Sequence, residues 1–261
     1  ANQAFGYGAL GANTTGNYNC AFGHSALDAN TTASGSVAIG YQALTAATTG
    51  GENVAIGIAA LEDNVSGTQN VAVGGYALAN DTTGGNSAVG YKALTTNTTG
   101  DHVTAFGYNA LELNTTGNNN VAVGYKALEA NTTANNNIAV GANALDALNG
   151  SGGNNIAIGY EALGAITTGE HNVAIGSYAL DSSNGNNNVA IAVHALGANT
   201  TGGNNIAIGQ DSLRYNTTGS NNTAIGFDAL KDSTTASDNT AVGKTALENN
   251  TTGNLNVAIG V

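Results

Sequence analysis

The stretch NNNVAVGYKALEANTTANNNIAVG, Asn118 to Gly141, begins to repeat itself before it ends, and its phrase returns as NNIAIGYEALG from Asn154 and NNIAIGQDSLR from Asn204. Internal repetition at a fixed period decides the architecture before any local propensity does. The Gly closing each phrase serves as a marker. It falls at Gly6, Gly23, Gly40, Gly57, Gly74, Gly90, Gly107, Gly124, Gly141, Gly159, Gly176, Gly209, Gly226, Gly243 and Gly260, with Ala192 in the remaining slot. The step is 17 residues, slipping singly to 16 or 18. No linker or shift in composition interrupts the array, so residues 1–261 read as one repeat domain.

Aligning the coils with one another assigns a job to each column. Two residues before the marker stands Ala in all 16 coils, flanked on the marker side by Ile, Val or Phe. Four residues after it stands Leu in all 15 available coils, and Asn occupies 14 of the 16 positions just ahead of the phrase. Seventeen residues are too few for a two-helix repeat, and Gly and Asn at this density break helices. The phrase NVAIG instead alternates, with Val54 and Ile56 on one side and Ala55 on the other, which is the period of a strand. Short strands of four or five residues separated by Asn, Thr and Gly predict an all-β parallel β-solenoid, a β-roll of about fifteen coils. At roughly 4.8 Å per coil the array predicts an elongated rod of about 70 Å.

In this reading the Val/Ile pairs and the Leu column fill the interior, since no single coil can bury its apolar face alone. The marker Gly supplies a bend or a positive φ. Asn side chains form hydrogen-bonded ladders, and the absence of Pro leaves every backbone N–H free to pair with a neighbouring coil. If Val54 and Ile56 point inward, then Ala38, Ala55, Ala72, Ala122, Ala139 and Ala174 point outward. A small residue kept at every outward position suggests a second chain packed closely there, with a homotrimer as the leading arrangement. The alternative is a coil so narrow that only Ala fits.

Composition limits the partners. Net charge is −12 with five Lys plus Arg, which disfavours nucleic acid, whose phosphates need clustered cations. No apolar run approaches the ~18 residues of a membrane span, so membrane insertion is not expected. A lone Cys20 supports no disulfide framework, and its column is held elsewhere mainly by Val, Ile, Thr or Ser. Ala1 and Val261 both fall inside the repeat, and the chain reads as a section of something longer, cut mid-coil at both ends.

The phrase NVAIGxxAL resembles the head repeats of trimeric autotransporter adhesins, and VAVGYKALEANTTA (Val121–Ala134) resembles repeats of phage and bacterial tail-fibre proteins. The first resemblance implies left-handed β-rolls joined three at a time. The second implies a fibre whose repeats precede a self-cleaving chaperone domain of the endosialidase type. Either implies a structural or interaction protein outside the cell, on a cell surface or a virion, associating as a homotrimer or end to end.

Candidate chemistry is sparse. His24, His102, His171 and His194 do not form a cluster by spacing, no metal or other cofactor is expected, and no residue set points to catalysis. Glu112, Glu129, Asp146 and Asp181 follow the Leu column and read as a solvated face. Tyr7, Tyr41, Tyr91, Tyr108, Tyr125 and Tyr160 follow the marker and form a partial aromatic ladder that could stack on sugars. The turn NTTG repeats the N-glycan acceptor pattern at Asn13, Asn30, Asn64, Asn97, Asn114, Asn131, Asn199, Asn216 and Asn250. Asn and Thr are also ordinary turn residues. Ala47, Asp81, Leu148, Ile166, Ser183 and Ser233 replace the Asn in six coils, so attachment is not required everywhere. The Thr pair offers O-linked sugars as a competing decoration. An ice-binding Thr face is a third reading, weakened because adjacent Thr residues in a strand would point opposite ways.

Overall fold

The computed structural model describes all residues from Ala1 to Val261. It falls into two compact units, Ala1–Thr133 and Ala134–Val261. The first carries β1 (Gln3–Phe5), β2 (Cys20–Phe22), β3 (Val37–Ile39), β4 (Val54–Ile56), β5 (Val71–Val73), β6 (Ser87–Val89), β7 (Thr104–Phe106) and β8 (Val121–Val123). The second carries β9 (Ile138–Val140), β10 (Ile156–Ile158), β11 (Val173–Ile175), β12 (Val189–Ile191), β13 (Ile206–Ile208), β14 (Thr223–Ile225), β15 (Thr240–Val242) and β16 (Val257–Ile259).

Within each unit consecutive strands pair in parallel, in chain order and in perfect coil register. Ala38 lies opposite Ala55 and Ala55 opposite Ala72 in the first; Ala157 lies opposite Ala174 and Ala174 opposite Ala190 in the second. This is the parallel β-solenoid that the period predicts. The strands are three residues long rather than four or five, because the chain bends at the marker and again just before each strand. No helix is long and apolar enough to cross a membrane.

The bends use left-handed backbone. The marker Gly40 has φ +140°, and an added Cβ there would collide with the Gly57 carbonyl one coil on. Three further positions per coil are left-handed and in most coils are not Gly, as at Gln42 (φ 55°), Leu44 (φ 55°) and Glu52 (φ 60°). Each such residue costs on the order of 1–2 kcal/mol. The offset is coil-to-coil pairing: the N–H groups of Gln42, Leu44 and Glu52 donate to carbonyls of His24, Ala60 and Ser34 at 2.9 Å each. The sequence carries a faint sign of this, since Asn119, Asn136, Asn187 and Asn204 hold one of these positions and Asn tolerates left-handed φ.

The interior is the reverse of the sequence expectation on one face. The Leu column is fully buried, as expected, from Leu27 to Leu128 in the first unit and from Leu145 to Leu230 in the second. The strand Ala residues, however, point inward. Ala38, Ala55, Ala72, Ala122, Ala139 and Ala174 are all 0% exposed, so none of them forms a chain–chain contact. Val54 is half-buried and Ile56 remains 37% exposed. The alternation was legible, but the face was assigned by side-chain size. A 17-residue loop already holds Leu, a second Ala, Gly and two Asn or their replacements in its interior, and across that width only Ala fits. Beside them, outward Val and Ile are shielded by the same side chain of the coils above and below.

Candidate functional site

Two interior columns of amides brace the coil. In the column just ahead of each strand, the Asn Oδ1 accepts the backbone N–H of the Asn one coil on. Asn70 donates to Asn53 and Asn86 to Asn70 at 2.9 Å in the first unit; Asn205 donates to Asn188 and Asn222 to Asn205 at 3.0 Å in the second. The same Asn donates its Nδ2 to a turn carbonyl of the next coil, as Asn188 does to Gly202 at 3.0 Å.

The second column is the Asn of the NTTG turn, the expected glycan acceptor. Asn30, Asn64, Asn97, Asn114, Asn131, Asn199 and Asn216 are all 0% exposed, and Asn13 and Asn250 are half-buried. Their amides point inward: Asn114 Nδ2 donates to Asn97 Oδ1 at 2.8 Å and to Gly117 O at 3.0 Å, and Asn216 does the same to Asn199 and Gly219 at 2.9 Å. Asn13 and Asn250 bond the carbonyls of Gly16 and Gly253 in the same manner. An acceptor amide must reach solvent, so the folded coil cannot carry N-linked sugar at the buried positions. The motif arises because a small inward amide is followed by two turn threonines. The first Thr is also structural: Thr98 Oγ1 donates to Thr115 O at 3.0 Å and Thr200 Oγ1 to Thr217 O at 2.8 Å. The second, such as Thr49, Thr116 or Thr218, is exposed and is where an O-linked sugar would sit.

Replacements in the turn column leave traces. Asp81 is fully buried, accepting from Asn97 at 2.7 Å and from Thr83 at 2.9 Å through Oδ1. Its Oδ2 has no partner, nor has Asn64 Oδ1 in the coil before. Burial pushes the Asp81 carboxyl up to about 6, against the lowering effect of those hydrogen bonds. Ser233 Oγ and Asn216 Oδ1 form a second unpartnered pair in the same column.

Three outward features remain. The first is the strip of strand side chains flanking the inner Ala. Phe22, Ile39, Ile56 and Phe106 in the first unit, and Ile158, Ile175, Ile206 and Ile225 in the second, are exposed. Neither of the two outward strand columns contains a single charged residue, although the chain carries 22 charged side chains. Cys20 lies in this strip as a free, half-exposed thiol.

The second is the aromatic ladder beside the marker. Tyr7, His24 and Tyr41 stack with centroids 5.3 Å apart, and Tyr91, Tyr108 and Tyr125 at 5.5 and 5.7 Å. His24 thus takes a rung that counting Tyr alone had missed. Tyr160 instead meets Tyr178 edge-on at 5.4 Å. His102 and His171 sit in turns beside Asp101 and Glu170.

The third is an open pocket of about 250 Å³ in the second unit, lined by Tyr178, Asp181, His194, Gly197, Ala198, Arg214 and Tyr215. Spacing had dismissed Asp181 as solvated and His194 as isolated. The signal that marks them is Gly197, the missing side chain between Asp181 one coil before and Arg214 one coil after. Acids hold the scarce cations, Arg214 of this pocket among them: Lys92 with Glu112, Lys126 with Glu129, Arg214 with Asp211 and Lys231 with Asp228, at 2.9–3.2 Å. No three or more His, Cys, Asp or Glu residues are grouped so as to hold a metal ion. No family model, no curated protein and no solved structure matches this chain.

Proposed function

We propose that this chain is a structural segment of an extracellular fibre, a shaft or head of the adhesin or tail-fibre kind, in which copies of the chain associate through the outward Val/Ile/Phe strip. The observation that carries the reading is that strip: every strand of both units contributes to it, and charge is absent throughout. A sheet face left to water ordinarily carries polar and charged side chains, and parallel sheets are ordinarily covered on both faces. By ordinary side-chain areas, one coil's outward pair exposes on the order of 100 Å² of apolar surface. The eight strands of one unit therefore offer about 800 Å², the share one partner gives to a standard interface and more than a typical monomer leaves bare.

A second copy is the fitting occupant because it carries the same coil spacing and meets the strip rung for rung. The homotrimer keeps its place in this proposal, with the contact moved from the Ala column to its Val/Ile neighbours. The mechanism is mechanical. Coil-to-coil pairing supplies stiffness, and the repeated outer surface makes many weak contacts add by avidity.

Imaging the assembled protein in cross-section by electron cryo-microscopy tests this reading. Several chains with their strand strips turned toward a common axis are expected. A cross-section one chain thick, with the strips facing solvent, overturns it.

A further inference from the structure

We infer that the pocket around Gly197 is a binding site for a single sugar ring. It lies within one copy of the chain and is independent of assembly through the strand strip. In the column after the buried Leu, most coils place a side chain such as Thr45, Thr95, Glu112 or Lys231. Gly197 places none, and its neighbours in the column are Asp181 and Arg214. The notch is therefore floored by backbone and closed at its two ends by a carboxylate and a guanidinium.

The walls are aromatic. Tyr178 and His194 stack at 5.1 Å with planes 12° apart, and Arg214 lies over Tyr215 with its guanidinium carbon 5.3 Å from the ring centre. Arg214 is held by Asp211 at 2.9 Å, so it is positioned before any ligand arrives. Asp181 is partly buried, and its carboxyl is raised by desolvation and by Glu161 and lowered by His194.

A volume of about 250 Å³ is below the range that takes drug-sized ligands and suits one pyranose ring. The chemistry matches that ligand. Aromatic walls pack against the ring's C–H face, the Asp181 carboxylate accepts from hydroxyls, and Arg214 donates to hydroxyl or ring oxygens. An anionic ligand would meet Asp181, and a purely apolar one would cover the Asp181 carboxylate without giving it a hydrogen-bond donor. A neutral hexose avoids both penalties.

The test uses the whole chain with glucose, galactose, mannose and N-acetylglucosamine as probes, followed by the ring signals of His194 and Tyr178 in NMR titrations. Saturable shifts with at least one of these sugars are expected. Gly197→Thr restores the side chain that Thr45 and Thr95 place in this column. An added Cβ there meets the His194 carbonyl oxygen at 3.3 Å, the Tyr178 carbonyl oxygen at 3.6 Å and the His194 Cα at 3.7 Å, so the fold is expected to persist while affinity falls tenfold or more. Arg214→Gln serves as a second variant, with a similar loss and an unfilled notch. Absence of saturable shifts with all four sugars at tens of millimolar overturns the proposal. So does unchanged affinity in both variants.

Discussion

The two buried Asn columns look alike in sequence and behave differently in the fold. The column ahead of each strand tolerates almost nothing: only Ser36 and Val103 interrupt it, and Ser36 still accepts the Asn53 N–H through its hydroxyl at 3.3 Å. The turn column accepts Ala47, Asp81, Leu148, Ile166, Ser183 and Ser233. The partner explains the difference. The pre-strand amide satisfies a buried backbone N–H that no substitution elsewhere can remove, whereas the turn amide bonds its own kind and a turn carbonyl that the pre-strand amide also holds, as at Gly202 and Gly219. Exchanging hydrogen-bonded side chains together for apolar ones can be nearly neutral, while orphaning a backbone group incurs its full desolvation. Leu148 and Ile166, adjacent in the column and both fully buried, are such a joint exchange.

The sharpest challenge to this contrast is Asn205→Ala. It strips the acceptor from the Asn222 N–H and removes one of the two donors on the Gly219 carbonyl, which keeps Asn216; one orphaned buried N–H and a lost amide bond together cost roughly 2–4 kcal/mol. Urea unfolding should show a loss of that size, with the same change at Asn216 in the turn column costing clearly less.

Asp81→Asn is expected to work in the opposite direction. The unfolded carboxyl loses its proton near its ordinary 3.8, the folded one at about 6. Between those values the folded state binds more protons, so stability is highest below pH 4 and falls as pH rises to 6, beyond which the whole penalty applies. Asn at this position removes the charge and offers an Nδ2 donor to the unpartnered Asn64 Oδ1. A pH-dependent gain of about 3 kcal/mol at pH 7, falling below pH 4 to the ~1 kcal/mol of the new hydrogen bond, should appear in unfolding midpoints across that range. A gain independent of pH would contradict the assignment.

Ser233→Asn carries the smallest effect. Asn30 coexists with Ala33 in the same turn geometry that pairs Ser233 with Ala236, so the amide fits. Its donor completes Asn216 Oδ1, and the gain should be near 1 kcal/mol by the same unfolding measurement.

The ladders, the Leu core, the marker glycines and the parallel coil were legible because each rests on period, and a repeat displays its period many times over. The direction of the strand was not. Val54-Ala55-Ile56 alternates identically whichever side is inward, and interior width, a property of the closed loop, decides between them. The acceptor motif misled for a related reason: Asn131-Thr132-Thr133 states which residues make the turn, while the way Asn131 faces depends on the amide column beneath it. The Gly197 notch was visible only as an absence within a column, and it gained meaning once Asp181 and Arg214 were seen to flank it.

The inverted strand also carries the functional account, since it turns an apolar strip outward and leaves it to be covered. Sedimentation equilibrium measures that directly, comparing the native chain with a variant bearing Lys at Ile39, Ile56, Ile158 and Ile175. These side chains are 37–39% exposed, so Lys at each reaches water without entering the coil. The native chain should sediment at a multiple of 25.6 kDa, three copies in the arrangement favoured here, and the variant at the single-chain mass with its β circular dichroism retained. A native protein that sediments at 25.6 kDa at every concentration, or a variant that keeps the native assembly, would contradict the claim that this strip joins the chains.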